Sequence, residues 1–130
     1  MWVQRDAERE MLDLLGDFIG DPGKVTVALP DGWSPAKGDH VTVESDGTPV
    51  SSKAWTRETI RVTVHGQNKP RVGRLMRLID GYILTPRMGH FLSVKPGAGV
   101  LVTPDSLVGG FVASATYRVA TPRIILERNE

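Results

Sequence analysis

The run Thr59-Ile60-Arg61-Val62-Thr63-Val64-His65 alternates apolar and polar residues without a break. In extended backbone this puts Ile60, Val62 and Val64 on one face and Thr59, Arg61, Thr63 and His65 on the other. One buried face and one wet face belong to an antiparallel or mixed sheet, because strands of all-parallel sheets are covered on both sides. After Gly66-Gln67-Asn68 the apolar period changes from two to about 3.6. Val72, Leu75, Met76, Ile79, Tyr82 and Ile83 then fall on one stripe of a helix. Asn68 is a suitable cap, and Pro70 is tolerated in the first turn, where its missing N–H has no partner to lose. A half-buried strand from Ile60 to Val64 therefore feeds a helix from Val72 to Ile83, and their apolar faces must cover each other.

The flanking segments extend this unit. From Asp6 to Ile19, Ala7, Met11, Leu14, Leu15 and Phe18 recur at helical spacing; Asp6 is a good cap, and Gly20-Asp21-Pro22-Gly23 ends the helix. Lys24 to Leu29 and His40 to Glu44 alternate as strands, and Phe111 to Val119 is a long final strand that resumes at Ile124 beyond Pro122. Gly- and Pro-rich stretches separate these elements, so loops are expected near 30–39, 45–57 and 85–110, with one or two short strands or an arm in the last. The expectation is a single α+β domain spanning 1–130. Its mixed, mostly antiparallel sheet of about four to five strands packs against two helices.

Size and composition fit that reading. A chain of 130 residues buries enough surface for one core without disulfides or metal, and it has no cysteine to form a disulfide or a thiolate site. The start of the chain lacks a signal-peptide apolar run, and no stretch approaches the ~20 apolar residues of a membrane span. Both features predict folding in a reducing cytoplasm, away from membranes.

Net charge is only +1, but it is unevenly spread. Residues 1–22 carry two basic and six acidic side chains, residues 23–52 two and four, residues 53–95 nine and two, and residues 96–130 three and three. Tight nucleic-acid binders usually show a strongly basic total. A segregated chain of near-zero charge can instead pair its opposite patches between copies, or simply solvate them.

No constellation argues for catalysis. His40, His65 and His90 lack metal-ligand spacing; the first two sit on polar strand phases, where solvated histidines are ordinary. Lys95-Pro96-Gly97-Ala98-Gly99 is followed by a strand-like run rather than a helix, so a turn is expected there and not a phosphate loop. Most acids lie on the first helix or in turns such as Asp31-Gly32 and Asp46-Gly47, and no Gly-x-Ser-x-Gly elbow occurs. The chain is expected to be no enzyme and to need no cofactor or metal.

Two features point to contacts with other chains. Arg71, Arg74 and Arg77 form a slanted stripe on the wet side of the second helix, with Lys69 and Arg87 near its ends. Guanidinium groups pair bidentately with carboxylate or phosphate, though such a stripe also serves as a solubilising face. Trp2, Trp33 and Trp55 fall at a terminus or in loops, and tryptophan is enriched at interface hot spots. Trp33, Trp55, Arg71, Arg74, Arg77 and Arg87 are thus the candidate interface residues.

The run Glu58 to Gly66, a short polar link and then Arg71-Val72-Gly73-Arg74-Leu75-Met76-Arg77-Leu78-Ile79 resembles the strand-then-helix unit of tail terminator proteins of long non-contractile-tailed phages, especially actinobacterial ones. A Pro/Gly-rich segment with Gly97-Ala98-Gly99-Val100 and Thr103-Pro104-Asp105, leading to a strand from Phe111 to Val119, continues the likeness. The likeness is one of pattern and order over most of the chain. It departs at Pro30 to Asp39 and in the tail Glu127-Arg128-Asn129-Glu130. The resemblance implies a virion protein, assembled in the host cytoplasm, that forms a homohexameric ring on the last ring of tail tube protein. That ring ends tube polymerisation and docks to a head-completion or connector protein, while genomic DNA passes through its lumen without sequence-specific binding. The alternatives are a head-completion or stopper ring of the neck, and a nucleic-acid-binding β-rich domain using Arg61, Arg71, Arg74 and Arg77.

Overall fold

A computed structural model of the chain describes residues 1–86 and 89–127. Arg87 and the tail residues Arg128, Asn129 and Glu130 lie outside the described residues. In chain order the elements are β1 (Trp2–Val3), α1 (Ala7–Ile19), β2 (Val25–Thr26), β3 (His40–Ser51), β4 (Trp55–Gly66), α2 (Lys69–Ile83), β5 (Ser93–Pro96), β6 (Leu101–Pro104), β7 (Phe111–Pro122) and β8 (Ile124–Ile125).

β4 lies in the middle of the sheet, whose order is β2-β3-β4-β7-β5 with β6 also on β7. Only β2 and β3 run parallel; every other pair is antiparallel. The pairing of β4 with β7 is unbroken from Trp55 opposite Pro122 to Gly66 opposite Phe111. Alternation then sorts the side chains. Ile60, Val62 and Val64 meet Tyr117, Ala115 and Ala113 on one side and Val43 and Val41 on the other, all on the face that α1 and α2 cover. This is the α+β architecture with a mixed, mostly antiparallel sheet that the sequence pattern predicts.

Both helices obey their local signals. The Asp6 side chain accepts the Arg9 N–H, and Gly20 ends α1 in the left-handed conformation. The Asn68 side chain accepts the Arg71 N–H, with Pro70 in the first turn of α2. Ala7, Met11 and Leu15 of α1 and Val72, Met76, Ile79 and Ile83 of α2 are fully buried. Each such side chain contributes roughly 1.5–3 kcal/mol through removal from water, less for alanine. Tyr117 fastens α2 to β7 by donating its hydroxyl to Asp80 at 2.6 Å. Burial and the Asp80 carboxylate push the Tyr117 pKa far up, so it remains a donor. Phe18 departs from its expected place in the core. It is partly exposed and stacks on Tyr82 with centroids 4.2 Å apart, joining the two helices at their surface.

Two segments differ from expectation, and 85–110 holds the two short strands expected in it. The stretch 45–57 is mostly strand, because bulges after Ser45 and Gly47 absorb the turn-like Asp46-Gly47-Thr48-Pro49 and let β3 continue to Ser51. The connection shrinks to the residues between Ser51 and Trp55, closed by the Ser52 N–H on the Trp55 carbonyl and the Trp55 N–H on the Ser52 hydroxyl. The strand expected from Lys24 to Leu29 is only Val25–Thr26, and Val27 is exposed. In 85–110, β5 lies opposite residues 117–120 of β7 and β6 opposite residues 111–114, so they are two halves of one edge strand. The sheet is therefore five strands wide.

The Lys95 to Gly99 run is accordingly a bulge inside this edge rather than a turn. Gly97 and Ala98 donate to the carbonyl and hydroxyl of Thr116 at 2.8 and 2.7 Å, and Ala98 accepts the Thr116 N–H at 3.0 Å. A Cβ on Gly97 would collide with the Thr116 side chain, which explains glycine at that position. At the chain ends, β1 and β8 pair as a separate two-stranded ribbon, which gives Trp2 a strand partner in Ile125.

Val62→Asp tests the central packing. Its carboxylate would sit unpaired between Val43 and Ala115 at a site with no solvent exposure, at a cost of several kcal/mol, comparable to the whole stability of a small domain. The variant is expected to lose its cooperative thermal transition in circular dichroism. A Val62→Asp protein that melts like the parent would contradict this placement.

Candidate functional site

α2 presents Arg71, Arg74, Arg77, Leu78 and Gly81 away from the sheet, because Val72, Met76, Ile79 and Ile83 take the inward stripe. The arginines are not equivalent. Arg71 reaches the Asp39 carboxylate at 3.3 Å, which ties the start of α2 to the 30–39 segment. Arg74 and Arg77 are exposed and pair with no carboxylate among the described residues. Beside them Leu78 is 53% exposed. Leu78 is not among the expected contact residues, and its position outside the buried stripe of α2 is the sequence signal for its exposure. A cleft bounded by Asp39, Arg71, Arg74, Leu75 and Leu78 runs along this side of the helix.

α1 supplies the opposite charge. Asp13 and Asp17 stand on its outer side, with Leu12, Pro22 and Val25 lining the cleft next to them. Asp13 is only loosely engaged by Arg9 at 3.5 Å, a contact between two largely exposed groups that contributes little. Glu10 is instead held by Arg5 at 2.7 Å, and Glu8 accepts the Ser45 N–H at 2.7 Å, so those two acids serve the fold.

The tryptophans separate. Trp55 begins β4, half-buried, and Arg57 lies over its ring at 5.7 Å from the centroid. Trp33 is half-buried and turned inward, its ring 5.9 Å from that of His65 and 6.4 Å from that of His40. It acts as a cover on this part of the sheet. Arg87, the remaining candidate, lies outside the described residues.

Beneath Trp33 the structure brings together two histidines that the sequence reading treated as solvated. His40 and His65 are directly opposite on β3 and β4, and His40 is 4% exposed. Their alternation phase is the outward one, as expected, but the 30–39 segment folds over it. The positions are nearly equidistant from the β3–β4 turn, and that symmetry was the signal that could have paired them. Thr26 donates its hydroxyl to the Ala28 carbonyl, so it accepts from His40 Nε2 at 2.7 Å, which fixes the His40 tautomer. His65 Nε2 bonds the Thr42 hydroxyl at 3.0 Å, while its Nδ1 is buried with no partner. A second proton on His65 would therefore have nowhere to donate.

Burial pushes the His40 pKa below its usual value, and the Lys24 charge pushes it the same way. Burial lowers the His65 pKa as well; Asp105 acts against this and His40 with it. The pair is packed beneath Trp33, and burial of both rings favours their neutral forms. Among the described residues no three histidine, aspartate or glutamate side chains are placed to hold a metal ion.

Searches of the sequence against known protein families and against curated proteins find no match in either.

Both histidines have folded pKa values below the unfolded value, so the unfolded chain takes up protons that the folded chain refuses. Their cost is absent above the unfolded pKa of about 6.5 and grows as pH falls below it, by at most ~1.4 kcal/mol per histidine per pH unit. Thermal melts are expected to move several degrees lower between pH 7.5 and pH 5, and His40→Gln with His65→Gln to flatten that slope. An unchanged slope in the double variant would assign the acid sensitivity elsewhere.

Proposed function

We propose that this protein is a non-catalytic structural subunit that assembles with copies of itself into a closed ring, and that the ring is a tail terminator at the head-proximal end of a phage tail tube. The observation that carries the ring is the charge division of the helical layer. α2 exposes Arg74 and Arg77 around the half-exposed Leu78, and α1 exposes Asp13 and Asp17. A closed ring uses head-to-tail contacts in which one patch meets a different patch on the next copy. Two unlike patches of opposite sign on separate elements can supply such a contact, and charge complementarity would fix its register. Leu78 gives the contact an apolar centre within a polar rim.

The identity of the ring rests on the resemblance of the Glu58 to Ile79 unit and of the Phe111 to Val119 strand to tail terminators. In that role the partners are copies of the same chain, the tail tube protein on one axial side and a head-completion or connector protein on the other. Genomic DNA passes through the lumen. The protein then resides in the virion after assembly in the host cytoplasm, and it needs neither cofactor nor membrane.

Arg74→Glu combined with Arg77→Glu places like charge against the acidic patch of the neighbour. Light-scattering mass of the parent is expected to show a ring, alone or on added tail tubes, and the variant to lose it by tenfold or more in assembly concentration. Its circular dichroism and melting temperature should stay close to the parent's, because both side chains lie outside the core. A variant with the parent's oligomer mass would remove α2 from the contact.

A further inference from the structure

The basic segment of residues 53–95 does not form one patch. α2 carries Arg71, Arg74 and Arg77 on the helical side of the molecule, whereas Arg57, Arg61 and Lys95 project from the opposite face of the sheet. There they meet Arg118, which belongs to a segment of balanced charge. Ile60, Val62, Tyr117 and Val119 point into the core, so the alternating residues Arg57, Arg61 and Arg118 point out, and Lys95 shares the outward phase with Arg118, its direct partner.

The register crowds these charges. Lys95 is directly opposite Arg118, and Arg57 and Arg61 are its two diagonal neighbours across β4, because Thr59 is its partner there. Directly opposed side chains are ~5 Å apart at Cβ and diagonal ones ~7–8 Å, and opposed like charges destabilise a sheet. Arg61 is offset by Asp46, which it grips at 2.9 Å, and by Glu44 opposite it. Arg57, Lys95 and Arg118 have no carboxylate partner among the described residues. Three cations on three adjacent strands thus stand unneutralised, and both helices lie on the other side.

We propose that this open sheet face binds the phosphodiester backbone of nucleic acid without reading its sequence. The surface consists of pleated strands, which suits an extended polyanion better than a small ligand. Arginine, lysine, serine and threonine are the side chains that hold phosphate oxygens, and Ser93, Thr59 and Thr116 lie among the cations on the same face. An anion between Lys95 and Arg118 turns their mutual repulsion into a shared attraction. The proposal concerns the face opposite α2 and stands whether or not the chain forms a ring.

The test is binding of the purified full chain to a labelled random-sequence duplex at low salt, followed by fluorescence anisotropy over a salt series. Lys95→Glu replaces an opposed like pair with an opposed ion pair. It is expected to raise the melting temperature while weakening duplex binding about tenfold and lowering the log–log salt slope by about one to two. Arg118→Thr removes the same repulsion, so it should weaken binding similarly with a smaller gain in stability, whereas Lys69→Glu, exposed at the start of α2, should leave affinity within about twofold. A single-stranded oligonucleotide of the same length distinguishes the two forms of backbone; binding of either supports the assignment if Lys95→Glu weakens it about tenfold. Absence of binding at low salt, binding indifferent to Lys95→Glu, or equal competition by polyglutamate would overturn it.

Discussion

The period-two alternation of β4, in register with β7 over the whole length of both strands, is the constraint on which the rest depends. It commits Ile60, Val62 and Val64 to one side of the sheet, and that side must be covered. α1 and α2 can only pack there. A one-residue slip would carry Arg57, Arg61 and Arg118 into the core, so the register is held by the cost of burying charge as well as by apolar gain. The same alternation leaves a helix-free face whose chemistry is set by what the apolar phase excludes.

The 30–39 segment shows how one end of that free face is closed. Trp33 covers the cross-strand histidines, and Asp39 both holds Arg71 and packs against Gly66, where a Cβ would lie 2.5 Å from its carboxylate oxygen. Gly110 is equally confined between the Gly66 carbonyl and Pro35, at a φ of 72° that favours glycine. The ends of β4 and β7, the entry to α2 and the Trp33 cover therefore meet at one node.

What was legible in the sequence follows from how local each cause is. Asp6 and Asn68 cap their helices through side-chain bonds three residues away, and the stripes of α1 and α2 are written in adjacent turns. Those elements could be read directly. The distal half of β3 could not, because Asp46-Gly47-Thr48-Pro49 has turn composition and becomes strand only through bulges against β4. The two short strands β5 and β6 were expected from composition, but their union into one edge was not, because the Gly97-Ala98 bulge between them is held by bonds to Thr116, distant in sequence. Of the candidate contact residues, the exposure of Arg74 and Arg77 followed from helical spacing. The inward turn of Trp33 did not, since it depends on His40 and His65 meeting across two strands.

Charge counted along the chain misled in a similar way. A run of nine basic residues between 53 and 95 reads as one patch, yet strand β4 and helix α2 deliver its members to opposite sides of the molecule. The two groups differ in what surrounds them. On α2 the cations flank an exposed leucine and share the helical layer with the acids of α1, a mixed surface suited to another protein chain. On the sheet they crowd one another among hydroxyls, with Arg57 lying over the Trp55 ring and opposite Val50 at one end, a surface suited to a polyanion with bases beside it. In the two proposed roles, one face would take a protein neighbour and the other a nucleic acid, so that neither contact competes for the other's residues.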